Sequence, residues 1–370
     1  MTAALVHIHH AEAISAAGDD LAAARATFAA GAQPFVVPTH FAARGVHHGL
    51  CAALQPSPRE SRAIALLKRL LSRLPALGDD DAIYLATTVG AIDCLEQNAS
   101  GPTPDCIGIL LDAVQRHFPR CSVTLVAAAC ASGQSATAAA MRALRGGRCR
   151  RALVIGIDIC SEFVTSGFVS LGAVSRTLTV TRPYDAQRDG LLLGEGAGAL
   201  LLGLDAGGAG GTIGALLAAG ESCDAAHITA PNLAGEQLAA LITQTLGRAG
   251  LRPEQLGGII GHGTGTIHND QSELAALDLV FAGQGACPPL LSIKGNTGHT
   301  LAATGVLQIV YGLDFLRQGQ LPPQAGLLQP AAGAERWVAA KTRPLRCPRL
   351  LSLNVGFGGL NSALILEGRA

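Results

Sequence analysis

Residues 122–159 read SVTLVAAACASGQSATAAAMRALRGGRCRRALVIGIDI. The apolar run 122–129 predicts a buried strand, and the alanine-rich segment 132–147 predicts a helix that ends at two glycines. Residues 151–159 predict the next strand, because they are apolar and β-branched. A strand, a helix and a strand in this order imply a right-handed parallel crossover, so we expect a layered α/β fold.

The C-terminal part of the chain repeats this alternation. It predicts strands at 256–263, 289–295, 350–356 and 361–368 and a helix at 299–319. Two similar parts favour a duplicated core, with an N-terminal half of residues 1–205 and a C-terminal half of residues 206–370. The boundary is expected in the glycine-rich stretch 203–214.

Composition excludes several classes of function. Lys+Arg and Asp+Glu number 27 each in 370 residues, which argues against a nucleic-acid partner. No apolar run is long enough to span a membrane, and residues 1–15 show no secretory signal. The ten cysteines form no CxxC pair, so we expect a reduced, cytoplasmic protein. The histidines at 7–10 and 47–48 lack further ligands at metal spacing, so no metal site is predicted.

Cys130 is the candidate nucleophile, because it falls at the turn between the strand 122–129 and the helix 132–147. The positive end of a helix macrodipole lowers the pKa of a nearby thiol and favours thiolate. Small neighbours on both sides allow a substrate carbonyl to approach closely. For any one cysteine taken alone, a buried structural role is the alternative.

Three further motifs carry polar groups at the ends of predicted strands, where α/β active sites gather. His262 lies in GHGTGT, and Lys294 precedes His299 by five residues in SIKGNTGH. A cation beside an imidazole favours the neutral ring. In NVGFGGLN, Phe357 is flanked by glycines, so its backbone is open to a reacting oxygen.

These motifs, taken in order, resemble the β-ketoacyl synthases of the thiolase superfamily: ACASG with Cys130, HGTGT with His262, KGNTGH with Lys294 and His299, and GFGG with Phe357. The resemblance extends from residue 60 to residue 368. It implies a thiolase-like duplicated fold of α-β-α-β-α layers. A histidine at position 299, where type III synthases carry asparagine, implies an elongating enzyme that depends on a carrier protein.

The reaction that the resemblance implies is a decarboxylative Claisen condensation. Cys130 would take an acyl group from a phosphopantetheine thioester, and the backbone N–H groups of Cys130 and Phe357 would form the oxyanion hole. His262 and His299 would donate to the oxygen of a malonyl thioester, and Lys294 would orient His299. The implied substrate-binding residues are Thr264, Thr266, Phe357, Gly356 and Gly358. No cofactor of its own is expected, since phosphopantetheine arrives on the carrier.

An acidic carrier protein needs a basic surface. The predicted helix within 60–74 offers Arg62, Lys68, Arg69 and Arg73, and a plain solvated face is the alternative for these residues. The resemblance also implies a dimer, either of two copies or with a ketosynthase paralogue. The apolar strand 151–159 is expected to pair across the dimer axis.

Other functions remain open at this stage. A non-catalytic partner subunit of the chain-length-factor kind usually lacks the nucleophilic cysteine, whereas Cys130 is present. A thiolase or type III synthase acting on coenzyme A is disfavoured by His299. One position departs from the family pattern: Gln308 stands nine residues after His299, where elongating enzymes usually carry glutamate. We expect an active elongating synthase of a type II pathway that makes fatty acids or polyketides, with aryl-polyene-like products among the candidates.

Overall fold

The computed structural model describes residues 4–36, 60–97, 102–176, 180–206, 211–284 and 287–369, so His47 and His48 lie outside the described residues. Its strands are β1 (Val6–Ser15), β2 (Ala82–Ala86), β3 (Ser122–Val126), β4 (Arg151–Asp158), β5 (Gly196–Gly203), β6 (Gly214–Cys223), β7 (Gly258–Ile260), β8 (Leu290–Leu291), β9 (Gln320–Leu321), β10 (Arg343–Pro344), β11 (Arg349–Gly356) and β12 (Leu360–Gly368). Its α-helices are α1 (Leu21–Ala29), α2 (Arg62–Leu71), α3 (Asp93–Gln97), α4 (Cys106–His117), α5 (Ser132–Arg145), α6 (Glu162–Ser170), α7 (Glu236–Ala249), α8 (Ile267–Val280), α9 (Lys294–Thr297) and α10 (Ala303–Gln318).

The main sheet has ten strands in the order β3-β2-β4-β5-β1-β6-β12-β11-β7-β8. Its two ends are built alike. β2 is parallel to β3 and β4, while β5 runs antiparallel to β4 and β1. In the same way, β7 is parallel to β8 and β11, while β12 runs antiparallel to β11 and β6. The same five-strand arrangement therefore occurs twice, which confirms the predicted duplication of the fold.

Three apolar clusters correspond to three layers of helices. Leu66 of α2 and Leu110 of α4 pack with the strands of the first half, and Ile242 of α7 packs with those of the second half. Between the halves, α5 and α10 share a cluster that includes Ala140 and Val306. The resulting α-β-α-β-α layering confirms the predicted thiolase-like class.

The prediction for the dimer strand is wrong. The segment 151–159 contains β4, which already pairs with β2 on one side and β5 on the other. Its apolar composition reflects a central strand that is buried on both faces. Among the described strands, β3 and β8 form the two edges of the sheet, and each pairs with one neighbour only. β3 has five residues and β8 has two, so β3, the strand that leads to Cys130, is the longer edge open to a partner.

The predicted boundary between residues 205 and 206 falls between β5 and β6, and its standing as a domain boundary stays a prediction. In the part of the chain that the structure describes, no helix has both the length and the apolar character needed to cross a membrane.

Candidate active site

The turn that carries Cys130 is sharp. β3 ends at Val126, and Ala129 has a φ of 48°, in the left-handed region that non-glycine residues rarely adopt. The Ser132 hydroxyl closes the turn, since it accepts the N–H of Ala128 at 2.8 Å and donates to the carbonyl of Ala129. Cys130 is consequently held just ahead of α5, with 6% of its surface exposed.

His299 is held in the corresponding turn of the second half, ahead of α10. Leu301 has a φ of 49°, and the Asp158 carboxylate accepts the N–H of Ala302 at 2.8 Å. The two turns meet between the halves, so that His299 Nε2 lies 3.0 Å from Cys130 Sγ. On the other side of the ring, Nδ1 lies 3.3 Å from the Thr304 hydroxyl. A hydroxyl both donates and accepts, so Thr304 supports either tautomer of His299.

His262 follows β7 and is fixed through its backbone by acidic groups on α8. Its N–H donates to Glu273 at 2.6 Å, and the Glu273 carboxylate also accepts from Gly263 and from the hydroxyl of Tyr184. The rings of His262 and His299 lie 5.4 Å apart at 90°. Both imidazoles therefore face the same space in front of Cys130.

Lys294 contacts His262 and not, as the sequence predicted, His299. Its Nζ lies 3.2 Å from His262 Nδ1 and also donates to the His262 carbonyl. An ammonium only donates, so Nδ1 of His262 accepts and the ring proton is placed on Nε2. The contact arises because β8 pairs in parallel with β7, so Lys294, three residues after β8, lies near His262, two residues after β7. Lys294 thus makes His262 a hydrogen-bond donor.

Burial dominates the ionisation of the site. It raises the pKa of Cys130 to about 12, although the charge of Lys294 opposes this shift, so the net change is upward where the sequence predicted a lowered pKa. Burial, and then the charge of Lys294, hold the pKa values of His262 and His299 well below their usual range. Burial also lowers the pKa of Lys294 to about 8, against the charge of Glu273. At neutral pH the site therefore combines a thiol, two neutral imidazoles and an ammonium.

Two cavities meet at Cys130. One, of about 390 Å³, is lined by residues that include His262, His299, Thr264, Thr266 and Gly356. The other, of about 1000 Å³, is mainly apolar and extends along α6. Phe357 lines both and stacks on Phe168, with the ring centres 5.5 Å apart, as a gate between the two would. Gly358 is not among the described residues that line either cavity; its N–H donates to the carbonyl of Ile228 instead.

The predicted docking residues divide into two groups. Arg62 is 6% exposed and forms an ion pair with the buried Glu195, so the structure excludes it from the surface. Glu195 directly follows residues 192–194, whose backbone is hydrogen-bonded to the backbone of His299. Arg62 therefore binds next to the segment that holds His299. Lys68, Arg69 and Arg73 do reach the surface, each beside an acidic side chain.

Sequence reasoning missed four supporting residues: Asp158, Asp270, Glu273 and Thr304. Asp270 and Glu273 follow the GHGTGT motif three residues apart, a spacing that places both carboxylates on one face of α8. The Asp270 carboxylate accepts from the backbone N–H groups of Thr264 and Gly265. That spacing was a usable signal, whereas nothing local to Asp158 points to Ala302, 144 residues away.

Two family models, both of β-ketoacyl synthases, match separate segments of the chain. The family model described as "Beta-ketoacyl synthase, N-terminal domain" matches residues 120–205. The model described as "Beta-ketoacyl synthase, C-terminal domain" matches residues 213–328. Together the two matches cover more than half of the chain, and they contain Cys130, His262, Lys294 and His299.

Similar proteins include enzymes of two kinds. A 3-oxoacyl-[acyl-carrier-protein] synthase 2 from Synechocystis is 29% identical over 88% of this chain and 81% of its own length. A putative polyketide beta-ketoacyl synthase 1 from Streptomyces cyaneus is 31% identical over 70% of this chain and 64% of its own length. Among solved structures, a ketosynthase in complex with its chain length factor from Xenorhabdus doucetiae matches with a TM-score of 0.84 and 27% identity, over 99% of this chain and 98% of the other.

Proposed function

The chain belongs to the β-ketoacyl synthase family and is a condensing acyltransferase, and from this premise we propose how its residues divide the work. Cys130 accepts the acyl group, and His262 stabilises the enolate of the incoming malonyl thioester. His299 takes up the thiol proton, which replaces the donation to the malonyl oxygen that the sequence led us to expect of it. The observation that carries this proposal is the 3.0 Å contact between Cys130 Sγ and His299 Nε2, with His262 facing the same cavity.

In the first half-reaction the buried thiol attacks an acyl thioester. Because the pKa of Cys130 is about 12, little thiolate exists beforehand, and the proton passes to His299 as the carbon–sulfur bond forms. The tetrahedral intermediate then collapses and expels the carrier thiolate, which takes the proton back from His299. Cys130 is left acylated, and His299 is neutral again.

The second half-reaction needs donors in place of a base. The malonyl thioester loses CO2, and the electron pair of the broken bond forms an enolate whose oxygen is bound by His262 Nε2–H. Lys294 at Nδ1 keeps that proton on Nε2. The enolate carbon attacks the acyl-cysteine, and the Cys130 thiolate leaves and takes one proton that enters from solvent through His299.

The oxyanion hole of both transfers is formed by the backbone N–H groups of Cys130 and Phe357. Gly356 supports this assignment, because a Cβ there would lie 3.3 Å from Cys130 N and 3.2 Å from Ala128 O. A side chain at position 356 would press on the Cys130 turn, so glycine is what lets the two backbones approach.

The partners are a carrier protein and a second chain of the same fold. The name of the Synechocystis relative includes an acyl carrier protein, and the Xenorhabdus ketosynthase is solved with a chain length factor. We place the second chain, a copy or a paralogue, on the β3 edge, because an unpaired edge strand is a template for pairing. We propose no bound cofactor beyond the phosphopantetheine of the carrier, and a cytoplasmic location.

The test is intact-mass spectrometry after incubation with a panel of acyl carrier proteins, followed by malonyl carrier protein. We expect the mass to rise by one acyl group on Cys130 and to return to its starting value as a β-ketoacyl carrier forms. A chain that never gains an acyl group from any carrier, while it stimulates a paralogue that does, would instead be a non-catalytic partner subunit.

A further inference from the structure

Gln308 lies in the middle layer with no exposed surface and hydrogen-bonds through both ends of its amide. Its Nε2 donates to the carbonyl of Gly261 at 2.9 Å and to that of Leu353 at 3.3 Å. Its Oε1 accepts from Gln134 at 3.1 Å, from Ser352 at 3.0 Å and from the side chain of Asn354. Five buried polar groups are thus satisfied by one side chain.

These five groups belong to the elements that carry the reacting residues. Gly261 directly precedes His262, and Gln134 lies on the first turn of α5, four residues after Cys130. Asn354 lies on β11, two residues before Gly356, and its side chain favours the protonated form of His262. Gln308 itself is on α10, nine residues after His299. A single amide therefore connects the segments of Cys130, His262, His299 and the oxyanion turn.

The hydrogen-bonding pattern requires an amide at this position. A carboxylate would still accept from Gln134, Ser352 and Asn354, but it has no proton to donate to Gly261 or Leu353. Its second oxygen would face two carbonyl oxygens in a buried site, where an acceptor without a donor costs the full desolvation of the group.

We propose that Gln308 is a positioning residue that joins the strand end of His262 to the helix of Cys130, and that this joint requires a neutral amide. The proposal rests on the proposed function, in which His262 must be aimed at the malonyl thioester oxygen. Glutamine in place of glutamate then fits its surroundings in this chain, because the carbonyls of Gly261 and Leu353 need a hydrogen-bond donor at position 308.

The first test is Gln308→Glu in the full-length chain, with decarboxylation of malonyl carrier protein and acyl loading of Cys130 measured separately. We expect decarboxylation near pH 8 to fall about 10²-fold, the scale of a misplaced catalytic group, and acyl loading to fall less. As the pH is lowered, the buried carboxyl takes a proton and regains one donor, so the ratio of variant to wild-type decarboxylation should rise. The other titratable groups near the network are His262, reached through Asn354, and Lys294, which contacts His262, so acyl loading is followed over the same pH range to separate their titration from that of the new carboxyl.

Three outcomes would overturn the proposal: decarboxylation equal to wild type, a loss of the same size in both half-reactions, or a ratio that does not change with pH. If Gln308→Glu does not fold, Ser352→Ala tests the proposal in its place. The Ser352 hydroxyl donates to Gln308 and accepts from Gln134, and the variant removes both hydrogen bonds. It should lower decarboxylation more than loading, and equal effects count against the joint. Thr245→Val, which removes a buried hydroxyl bonded within α7, is the matched control and should leave both rates unchanged.

The wild-type chain separates this proposal from the proposed function. If wild type neither loads Cys130 nor releases CO2, the proposed function fails, and the joint is then read from the titration of His262 by NMR. A carboxylate beside Asn354 favours imidazolium, so Gln308→Glu should raise the pH at which His262 titrates. An unchanged titration would overturn the joint.

Discussion

Gly133 of α5 and Gly305 of α10 lie against each other where the two helices cross. A Cβ on Gly133 would lie 2.5 Å from the carbonyl oxygen of Ala302 and 3.2 Å from the Cα of Gly305. A Cβ on Gly305 would lie 2.5 Å from the backbone nitrogen of Gln134. Since Cys130 and His299 come just before these helices, this crossing sets the distance between thiol and imidazole.

Replacing either glycine by alanine should therefore separate the two reacting groups. We expect Gly133→Ala to destabilise the fold by about 1–3 kcal/mol and to slow acyl loading by about 10²-fold. Thermal unfolding and intact-mass kinetics measure the two effects. Gly247→Ala is the matched control, because its added Cβ meets no atom within 4 Å. Alanine at this exposed helix position should raise the free energy of unfolding by roughly 0.5–1 kcal/mol. Normal loading by a folded Gly133→Ala protein would show that the crossing does not set the site.

Alanine substitutions of the two histidines should slow different half-reactions. His299→Ala removes the acceptor of the thiol proton, so acyl loading should fall by about 10²–10⁴. His262→Ala should leave loading nearly intact and slow decarboxylation by about 10²–10³, the effect of losing one preorganised donor. Intact mass reports loading, and radiolabelled malonyl carrier protein reports CO2 release. The reverse pattern would exchange the roles assigned to the two rings.

Lys294 should produce an alkaline limb in the decarboxylation rate. Its pKa is lowered to about 8 by burial, so the ammonium is present below that pH and is lost as the pH rises through it. Without the ammonium, the proton on His262 Nε2 is no longer fixed, and the rate should fall. Lys294→Met should be slower by about 10²-fold at neutral pH and should lack this limb. A limb that persists in the variant would assign it to another group.

Charge reversal on α2 tests carrier docking. Lys68→Glu with Arg69→Glu should raise the KM for acyl carrier protein by about 1.4- to fivefold for each residue, as exposed charge pairs contribute about 0.2–1 kcal/mol. The effect should grow at low salt, where screening is weaker. Arg120→Glu with Arg252→Glu is the matched control, since these cations are exposed and ion-paired elsewhere. Equal KM changes in both double variants would make α2 an ordinary solvated face.

The sequence predicted what depends on local pattern and on order along the chain. The apolar run before Cys130, the helix after it and the repeat of both in the second half were enough for the layered fold, although the predicted strand at 289–295 is only Leu290–Leu291 in the structure. What it could not predict depends on long-range packing. The sequence around Arg62 is typical of a surface cation. In the structure, however, Arg62 is buried and pairs with Glu195, which is far away along the chain. Likewise, Lys294 contacts His262 and not His299 because β8 pairs with β7, a pairing between distant segments.

The buried thiol of Cys130 also has a consequence for the durability of the protein. Oxidants and simple alkylating agents react with thiolates, and a cysteine whose pKa is about 12 offers them almost none at neutral pH. Its reactivity toward a thioester arises as His299, whose Nε2 lies 3.0 Å from the thiol, takes the proton while the carbon–sulfur bond forms. Oxidation of Cys130 should therefore be slower than that of an exposed cysteine, and a covalent inhibitor should react faster when the cavity holds its electrophile within reach of Cys130 and His299.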